Sequence, residues 1–349
     1  MDVLSYNASK SYRWNYDNAP EPVRLDVPTV PGNWTFCGLP VASPLGIPAG
    51  PLLNARWVLY YASLGFDILT YKTVRSSRRG CYGLPNLVPI EPGLSMTGAE
   101  PEVAATNSMR DSWAVSFGMP STEPAEWRED IAFAKANLPA GKLLCVSVVG
   151  TAQPGWTIEE LADDYARCAR WAAESGADVV EANFSCPNVA TQDGQLYQQP
   201  TAAGLVARRV REAIGETPLS IKIGHVTDQD AAATLLDSLS PHVTALAMTN
   251  CVASKVRDEA GTLFFDGHQR GIAGSAILDA SVAQVALFAD LIRRRNLPTR
   301  IIGVGGAASA ADAERYFDGG AECVHIATAT MVDPLVGSRI KCDLRQSRT

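Results

Sequence analysis

Hydrophobic residues along this chain form short apolar runs that alternate with segments of helical periodicity. Beyond residue 40 there are eight such runs, each nearly free of charged residues. Runs of this kind are typical of strands that are buried on both faces of a parallel sheet. The predicted strands are residues 45–50, 66–74, 143–150, 178–185, 219–224, 243–250, 300–306 and 323–329.

Two of the intervening segments carry clear helix signals. In residues 157–176 the apolar positions recur at helical spacing, and Gly176 is placed to end the helix. Residues 309–320 begin with Ser309 as the expected N-cap and end with two glycines. Eight strands that alternate with helices predict an α/β fold, a closed (β/α)8 TIM barrel, with an open doubly wound sheet as the alternative.

The chain is expected to hold one domain preceded by an arm. Residues 1–40 are polar and rich in proline and aromatics, which predicts an irregular N-terminal arm, and residues 41–349 form the predicted barrel domain. Two gaps, residues 75–142 and 251–277, are longer than a normal connection. Each follows a predicted strand, so we expect both insertions to cover the active site on the C-terminal face of the barrel.

Composition narrows the class of protein. The formal net charge is -7 and there is no dense run of lysine or arginine, which argues against a nucleic-acid or anionic-membrane partner. No uninterrupted apolar segment has the length of a membrane span, and no signal peptide is recognisable. Eight cysteines are scattered without a C-x-x-C pair, and four histidines lack paired spacing. We therefore expect a cytoplasmic protein without disulfides or a metal site.

Amides, lysines and one thiol dominate the positions where the predicted strands end. There is no carboxylate pair among them, so glycosidase chemistry is not indicated, and neither is a site for a hard cation. The polar and glycine residues at these ends are Lys72, Asn183, Cys186, Asn188, Lys222, Asn250, Gly305, Gly306 and Thr328.

Several of these residues predict an anion-binding site. Lys72 and Lys222 lie in or at the end of apolar strands, where a lysine either extends to solvent or binds an anion. The glycine turn in residues 303–308, "GVGGAA", runs into a helix, and Thr328 at the next strand end offers a hydroxyl. The turn also fits the dinucleotide pattern G-x-G-x-x-G/A, but Glu322 precedes the next strand instead of ending it, which disfavours a Rossmann fold.

Cys186 is the candidate for proton or group transfer. It lies between two asparagines in "EANFSCPNVA", and Pro187 prevents continuation of the strand. A thiol at this place is either a nucleophile or a general base. A nucleophile needs a partner base, and no histidine is close in sequence.

Seven motifs in order resemble the dihydroorotate dehydrogenase family of FMN flavoproteins, over about residues 41–335. They are "GIPAGP", "TYKTVRS", "VEANFSCPNV", "SIKIG", "AMTN", "RGIAGSAI" and "IIGVGGAASAADA". The resemblance implies an FMN cofactor, a dihydropyrimidine-like substrate and a place in pyrimidine metabolism. The cysteine in N-x-S-C-P-N is similar to the base of the soluble branch, since the membrane-bound, quinone-reducing branch has serine there. A homodimer or a complex with an iron–sulfur partner subunit is implied in addition.

The resemblance also implies a role for each matching residue. Cys186 resembles the base that takes a proton while hydride passes to the flavin, and Lys72 resembles the lysine that bridges flavin and substrate. The implied FMN contacts are Ala49, Gly50, Lys72, Asn183, Lys222, Asn250, Gly274, Gly305, Gly306 and Thr328. The implied substrate contacts are Asn107, Asn183, Asn188, Asn250 and Cys251.

The chain departs from the family at a few positions near the site. The substrate-loop pattern N-S-M-G-L-x-N is "VSFGMPS" here, with Val115 and Ser121 in place of asparagines. Cys251 replaces a small hydroxyl residue, and Ala327 replaces a glycine. These changes favour a divergent homologue with another cyclic amide or carbonyl substrate as the alternative to a true dihydroorotate dehydrogenase. Two further alternatives are a flavin-free phosphate-binding lyase or isomerase and a nucleotide dehydrogenase of inosinate type with a cysteine nucleophile.

Overall fold

The eight predicted strands form one closed parallel barrel. The computed structural model describes residues 3–185 and 195–347. Its strands are β1 (Trp34–Phe36), β2 (Leu39–Val41), β3 (Leu45–Ile47), β4 (Ile68–Val74), β5 (Leu87–Pro89), β6 (Glu102–Ala104), β7 (Ser112–Val115), β8 (Leu143–Val148), β9 (Val179–Asn183), β10 (Leu219–Lys222), β11 (Ala245–Met248), β12 (Val252–Arg257), β13 (Arg270–Gly274), β14 (Arg300–Val304) and β15 (Cys323–His325). The barrel order is β10–β11–β14–β15–β3–β4–β8–β9, and pairing of β9 with β10 closes it. The predicted (β/α)8 barrel is confirmed, and the open sheet is excluded.

Helices follow the barrel strands and pack around them. The helices in the described residues are α1 (Tyr12–Asp17), α2 (Ala55–Ser63), α3 (Pro124–Asn137), α4 (Ile158–Glu174), α5 (Pro200–Ile214), α6 (Gln229–Leu239), α7 (Leu278–Arg295), α8 (Ala310–Asp318), α9 (Thr328–Val332) and α10 (Val336–Ser347). Thr157 and Glu160 form a capping box at the start of α4, and the Ser309 hydroxyl accepts the N–H of Asp312 at the start of α8. Both helix predictions are confirmed.

One described helix has the length and composition of a membrane span. It is Ser275–Arg295, which includes α7 and reaches a mean hydropathy of 1.6. In this fold α7 packs against β14 and β11, with Val285, Phe288 and Leu291 buried. A helix with one apolar face against a barrel meets the same criteria of length and composition.

A hairpin closes the N-terminal end of the barrel. Strands β1 and β2 pair, and Phe36 and Val41 pack against interior side chains of the barrel strands, including Ile302. The Cys37 N–H donates to the carboxylate of Glu322 (2.6 Å). Because this end is filled, a ligand can reach the barrel only from the opposite end.

The two long insertions build a second sheet over that opposite end. Its five strands have the order β5–β7–β13–β12–β6. Strand β7 is antiparallel to both β5 and β13, and Gly274 lies opposite Ser112 in the pairing with β13. The expectation that the insertions cover the C-terminal face of the barrel is confirmed.

The N-terminal arm contains regular structure and is attached to the barrel. Its composition predicts an irregular segment, but α1 and the hairpin of β1 and β2 begin within the first forty residues. The Leu4 N–H donates to the Tyr60 hydroxyl, which donates back to the Leu4 carbonyl, both at 2.8 Å. The indole N–H of Trp57 donates to the carbonyl of Asn15 (3.0 Å). Since Trp57 and Tyr60 belong to α2, these bonds fix the arm against a barrel helix.

Candidate active site

A cavity of about 210 Å³ opens at the C-terminal ends of the barrel strands. A single water needs only about 10–15 Å³ by this measure, so the cavity has room for a ligand of many atoms. Its walls come from the C-terminal ends of β4, β9, β10 and β14, from the loops after β3, β11, β14 and β15, from the insertions that form the second sheet and from the N-terminal arm. This end of a (β/α)8 barrel is where enzymes with the fold place their active sites.

Most of the predicted site residues come together in this cavity. Those that line it are Ala49, Gly50, Lys72, Asn183, Lys222, Asn250, Cys251, Gly274, Gly305, Gly306 and Thr328. Cys186 and Asn188 lie outside the described residues. Asn107 is exposed and does not line the cavity. The N–H of Thr106 donates to the Pro89 carbonyl, and this bond holds the segment at the outer edge of the covering sheet.

Two buried ammonium groups are central to the site. The side chains of Lys72 and Lys222 line the cavity, and the structure gives neither Nζ a hydrogen bond or an ion pair with another described residue. Burial lowers the pKa of Lys72 to about 7, with smaller and opposite effects of Cys81 and Arg75. The Tyr12 ring lies near Lys72 and the buried carboxyl group of Glu181 acts on Lys222, but neither ammonium group has a described hydrogen bond. A buried cation without a hydrogen-bond partner is costly, so this pair favours an anionic or electron-rich ligand.

The two carboxamides of the site belong to one hydrogen-bonded network. The amide nitrogen of Asn250 donates to the hydroxyl of Ser185 (3.1 Å) and to its carbonyl. The Ser185 N–H donates to Oδ1 of Asn183 (3.0 Å), and the thiol of Cys251 donates to Oδ1 of Asn250 (3.7 Å). Carboxamides present both donors and acceptors to a ligand. Since Ser185 precedes Cys186 directly, the network also fixes the backbone that leads into the candidate thiol.

A buried glutamine supports this network from behind. Gln284 on α7 accepts hydrogen bonds from the Thr249 hydroxyl (2.8 Å) and from the Val226 N–H (3.1 Å), and its amide donates to the Gly224 carbonyl (2.8 Å). It thereby fixes the segment after β10, the strand that ends at Lys222, and the segment after β11, which contains Asn250. No local sequence pattern indicates this role of Gln284, because its partners lie 35 or more positions away in the chain.

The loops after β14 and β15 form a candidate phosphate site. Gly305 and Gly306 have φ of +120° and +81°, and an added Cβ would lie 2.4 Å from the Ser281 hydroxyl oxygen or 2.8 Å from the Leu278 Cα. The structure gives their N–H groups no acceptor among the described residues. Thr328, the first residue of α9 after the neighbouring strand β15, is buried. Free backbone N–H groups before a helix suit a phosphate group.

The departures from the family pattern differ in where they lie. Val115, Cys251 and Ala327 line the cavity, so each can change what a ligand meets there. Ser121 does not line the cavity. Its hydroxyl accepts a hydrogen bond from the backbone N–H of Arg75 (3.1 Å) and donates one to the Thr122 carbonyl (3.0 Å). The serine at position 121 therefore makes hydrogen bonds within its own loop and the neighbouring strand end.

Sequence reasoning missed the aromatic side of the cavity. Tyr6 and Tyr12 of the arm line it, together with Phe117 and Trp113 of the covering insertion. The ring centroid of Tyr12 lies 4.2 Å from Nζ of Lys72. The only signal for these contacts was the aromatic content of the arm, which does not say where the rings lie. In the described part of the chain, no group of three or more His, Cys, Asp or Glu residues is placed to hold a metal ion.

Comparison with known proteins supports one family. The profile of the dihydroorotate dehydrogenase family matches residues 126–347. The dihydroorotate dehydrogenase of Dictyostelium discoideum is 30% identical over 356 residues, which cover 96% of this chain and 95% of that protein. The catalytic subunit of dihydroorotate dehydrogenase B (NAD(+)) from Desulforudis audaxviator is 31% identical over 54% of this chain and 60% of its own length.

A solved structure has the same fold. The crystal structure of DHODH from Eimeria tenella in complex with ferulenol superimposes with a TM-score of 0.73, over 95% of this chain and 88% of that chain, at 18% identity. The sequence matches favour this family over the two alternatives, a lyase or isomerase and an inosinate-type nucleotide dehydrogenase. This chain is therefore an oxidoreductase of the dihydroorotate dehydrogenase type and belongs to the dihydroorotate dehydrogenase family.

Proposed function

We propose that this chain is an FMN-dependent dehydrogenase that interconverts the single and double C–C bond beside a carbonyl in a dihydropyrimidine-like ring. The observation that carries the proposal is that two buried lysines, Lys72 and Lys222, line one cavity with the carboxamides of Asn183 and Asn250. Such a donor set matches a flavin and a ring with alternating carbonyl and N–H groups. Bound FMN supplies the acceptor for two electrons and a hydrogen.

The residues present fit FMN. The free N–H groups of Gly305 and Gly306, with the hydroxyl of Thr328, would hold the phosphate. Lys222 would lie beside the electron-rich edge of the isoalloxazine. A Cβ on Gly50 would meet no atom within 4 Å, so the backbone there borders open space that a flat ring can fill. Gly274 completes the wall on the side of the covering sheet.

The chain's own groups would orient the substrate and move one proton. Asn183, Asn188 and Asn250 would bind the carbonyl and N–H edges of the ring, and Lys72 would bridge substrate and cofactor. The thiolate of Cys186 would take the proton from one ring carbon while the adjacent carbon loses a hydride to the cofactor, which leaves a C=C bond in the ring. Ser185, held by both carboxamides, would position Cys186 for that transfer.

The cavity lining favours a second substrate candidate beside dihydroorotate. Val115 and Cys251 line the cavity at positions where the family pattern has an asparagine and a small hydroxyl residue. A site that lacks a polar partner no longer selects for a ligand group that needs it. Membership of the family supports dihydroorotate as the substrate, and these changes in the lining support a different cyclic amide or carbonyl compound as the alternative.

We also propose a cytoplasmic homodimer, without nucleic-acid or membrane partners. A complex with an iron–sulfur subunit is the alternative, supported by a relative whose name designates it a catalytic subunit. Light scattering of the purified protein, together with analysis of its iron content, distinguishes the two. A dimeric mass without iron is expected.

Flavin loading and anaerobic reduction test the function. The protein is purified with added FMN and mixed without oxygen with dihydroorotate, other dihydropyrimidines and related cyclic amides. We expect a yellow protein whose flavin absorbance bleaches with one of these substrates. A colourless protein that does not take up FMN, or a bound flavin that none of them reduces, would contradict the proposal.

Exchange of the candidate base separates binding from chemistry. Cys186→Ser should retain FMN and reduce the flavin about 10²- to 10⁴-fold more slowly at neutral pH, the range that a positioned base contributes. Cys342→Ser is the control, because it changes an exposed thiol of α10 that does not line the cavity. Unchanged flavin reduction by Cys186→Ser would remove this residue from the mechanism.

A further inference from the structure

The N-terminal arm places one aromatic ring at a fixed point of the cavity. Tyr12 is the first residue of α1, and the Ser11 hydroxyl caps that helix by accepting the Trp14 N–H. The side-chain amide of Asn54 donates to the Tyr16 carbonyl (2.8 Å), and Trp57 donates to the Asn15 carbonyl. The helix that carries Tyr12 is thus bonded to the barrel on its C-terminal side.

Neighbouring rings hold Tyr12 from the cavity side. Its ring centroid lies 6.2 Å from that of Phe117 at an interplanar angle of 65°, and Phe117 meets Tyr6 at 6.1 Å and 87°. Both are edge-to-face arrangements, the favourable geometry for aromatic pairs. Because Phe117 belongs to the insertion after β4, the arm and the covering insertion join at this cluster.

The ring of Tyr12 is the partner that the structure shows for the Lys72 ammonium. Nζ lies 4.2 Å from the ring centroid, well inside the roughly 6 Å range of a cation–π contact. The charged and titratable groups that act on Lys72 are Cys81 and Arg75. Burial raises the pKa of the Cys81 thiol to about 11, so this thiol is neutral at pH 7, and Arg75 repels the ammonium. No carboxylate acts on Lys72 among the described residues.

The phenol of Tyr12 does not supply a negative charge either. Burial raises its pKa well above the usual value, so the group stays neutral through the physiological range. What remains is the electron-rich face of the ring, which attracts a cation without being ionised. Since burial lowers the pKa of Lys72 to about 7, even a modest attraction changes how much of this lysine is charged at neutral pH.

We propose that Tyr12 is a positioning residue whose ring holds the Lys72 ammonium at the wall of the cavity, so that the N-terminal arm completes the active site. The effect on catalysis rests on the role proposed above for Lys72, but the contact between the two side chains does not. The arm is therefore a functional part of the barrel.

NMR titration of the lysines in the flavin-free protein tests the contact directly. The chain has seven lysines, so ¹³Cε-labelled lysine gives a small set of signals, and Lys72→Arg assigns one of them. In Tyr12→Leu the midpoint of Lys72 should fall by about 0.4 to 1.5 units, which is the cation–π range expressed in pKa units. A fall of one unit from pH 7 lowers the charged fraction at that pH from about one half to about one tenth.

The controls separate the ring from the fold of the arm. Tyr12→Phe keeps the ring and should titrate close to the wild type. Trp14→Leu removes an exposed ring from the same helix, which lies 6.0 Å from Nζ of Lys10, and should leave Lys72 unchanged. If Tyr12→Leu does not move the midpoint, or if Tyr12→Phe moves it equally, the proposal is overturned.

A graded series covers the case in which Tyr12→Leu detaches the arm. Starting from Tyr12→Phe, the phenylalanine is replaced by analogues with one, two and three ring fluorines. The fluorines weaken the negative electrostatic potential of the ring face and keep the shape of the ring. The Lys72 midpoint should fall stepwise with fluorination, and a flat response would refute the contact. In the flavin-loaded enzyme the alkaline limit of flavin reduction should move by the same amount. A protein that fails to bind FMN would end the proposed function, while the titration would still decide the role of Tyr12.

Discussion

Replacement of Asp67 by asparagine tests how far the barrel depends on one buried carboxylate. Asp67 lies directly before β4, the strand that carries Lys72, and its side chain is 2% exposed. It accepts hydrogen bonds from the Ser43 hydroxyl, from Nζ of Lys142 and from Nζ of Lys341, each at 2.5 Å. Because Lys341 belongs to α10, the carboxylate ties the C-terminal helix to the base of the barrel.

The size of the effect follows from the burial of the partners. Lys341 is 5% and Lys142 14% exposed, so Asp67→Asn keeps the shape of the side chain and leaves two enclosed cations without a counter-charge. Loss of one partner from a buried ion pair costs about 3–5 kcal/mol. Unfolding entropy is about 2.1 cal/mol/K per residue, or about 0.73 kcal/mol/K for 349 residues. The Tm should therefore fall by about 4–7 °C.

Differential scanning calorimetry at neutral pH measures this shift. The matched control is Asp17→Asn, which removes the carboxylate of the exposed pair with Arg13 and should cost at most about 1 kcal/mol, or about 1.4 °C. Adding Lys341→Met to Asp67→Asn should recover part of the loss, because one of the two unpaired cations is removed. If Asp67→Asn lowers the Tm no more than the control does, or if the two changes simply add, the reasoning fails.

Two further predictions concern the barrel interior and its cover. Burial lowers the pKa of His325 to about 3, so between pH 6.5 and pH 3 the unfolded chain binds a proton that the folded chain does not bind. The free energy of unfolding should therefore fall by about 1.4 kcal/mol for each unit by which the pH is lowered in this range. Urea unfolding of His325→Leu between pH 7 and 4 should lose that part of the slope, and an unchanged slope would contradict the prediction. At Gly274 (φ +98°) an added Cβ would lie 2.2 Å from the Asp111 carbonyl oxygen, so Gly274→Ala should disturb the pairing of β13 with β7 and lower the flavin-to-protein ratio after gel filtration. Gly80→Ala, whose Cβ would meet no atom within 4 Å, should keep the ratio, and equal ratios in both variants would count against the role of Gly274.

The barrel could be predicted from sequence because its strands are buried on both faces. All eight apolar runs became barrel strands, but several are shorter than predicted. Residues 300–306 contain β14, which ends at Val304, and residues 323–329 contain β15, which ends at His325. The small residues Gly305, Gly306 and Ala327 beyond these ends line the cavity, and a hydrophobicity pattern cannot distinguish a cavity wall from a strand.

The site was predictable where its residues belong to short motifs, and not where they depend on distant docking. Lys222 ends β10 and Asn250 follows the end of β11, so the fold alone brings them together. Tyr12 reaches Lys72 only because the arm is bonded to α2, a contact across 60 positions that no local pattern encodes. The same limit affected Asn107, which was assigned from a nearby motif but lies at the outer edge of the covering sheet.

Buried lysines form ion pairs at the N-terminal end of this barrel but not at its C-terminal end, among the residues that the structure describes. At the base, Lys341 and Lys142 share the carboxylate of Asp67. At the C-terminal end, Lys72 and Lys222 are also buried. The Tyr12 ring lies over Lys72, and the buried carboxyl group of Glu181, whose pKa burial raises, acts on Lys222 without a described ion pair. Asp67 directly precedes β4, and Lys72 lies near the other end of the same strand. The barrel can therefore hold a buried carboxylate, and the fold itself does not prevent one at the C-terminal end. Buried cations without an ion pair cost folding free energy, and a ligand that brings negative charge or electron density offsets part of that cost, so a bound ligand should stabilise the C-terminal end of the barrel.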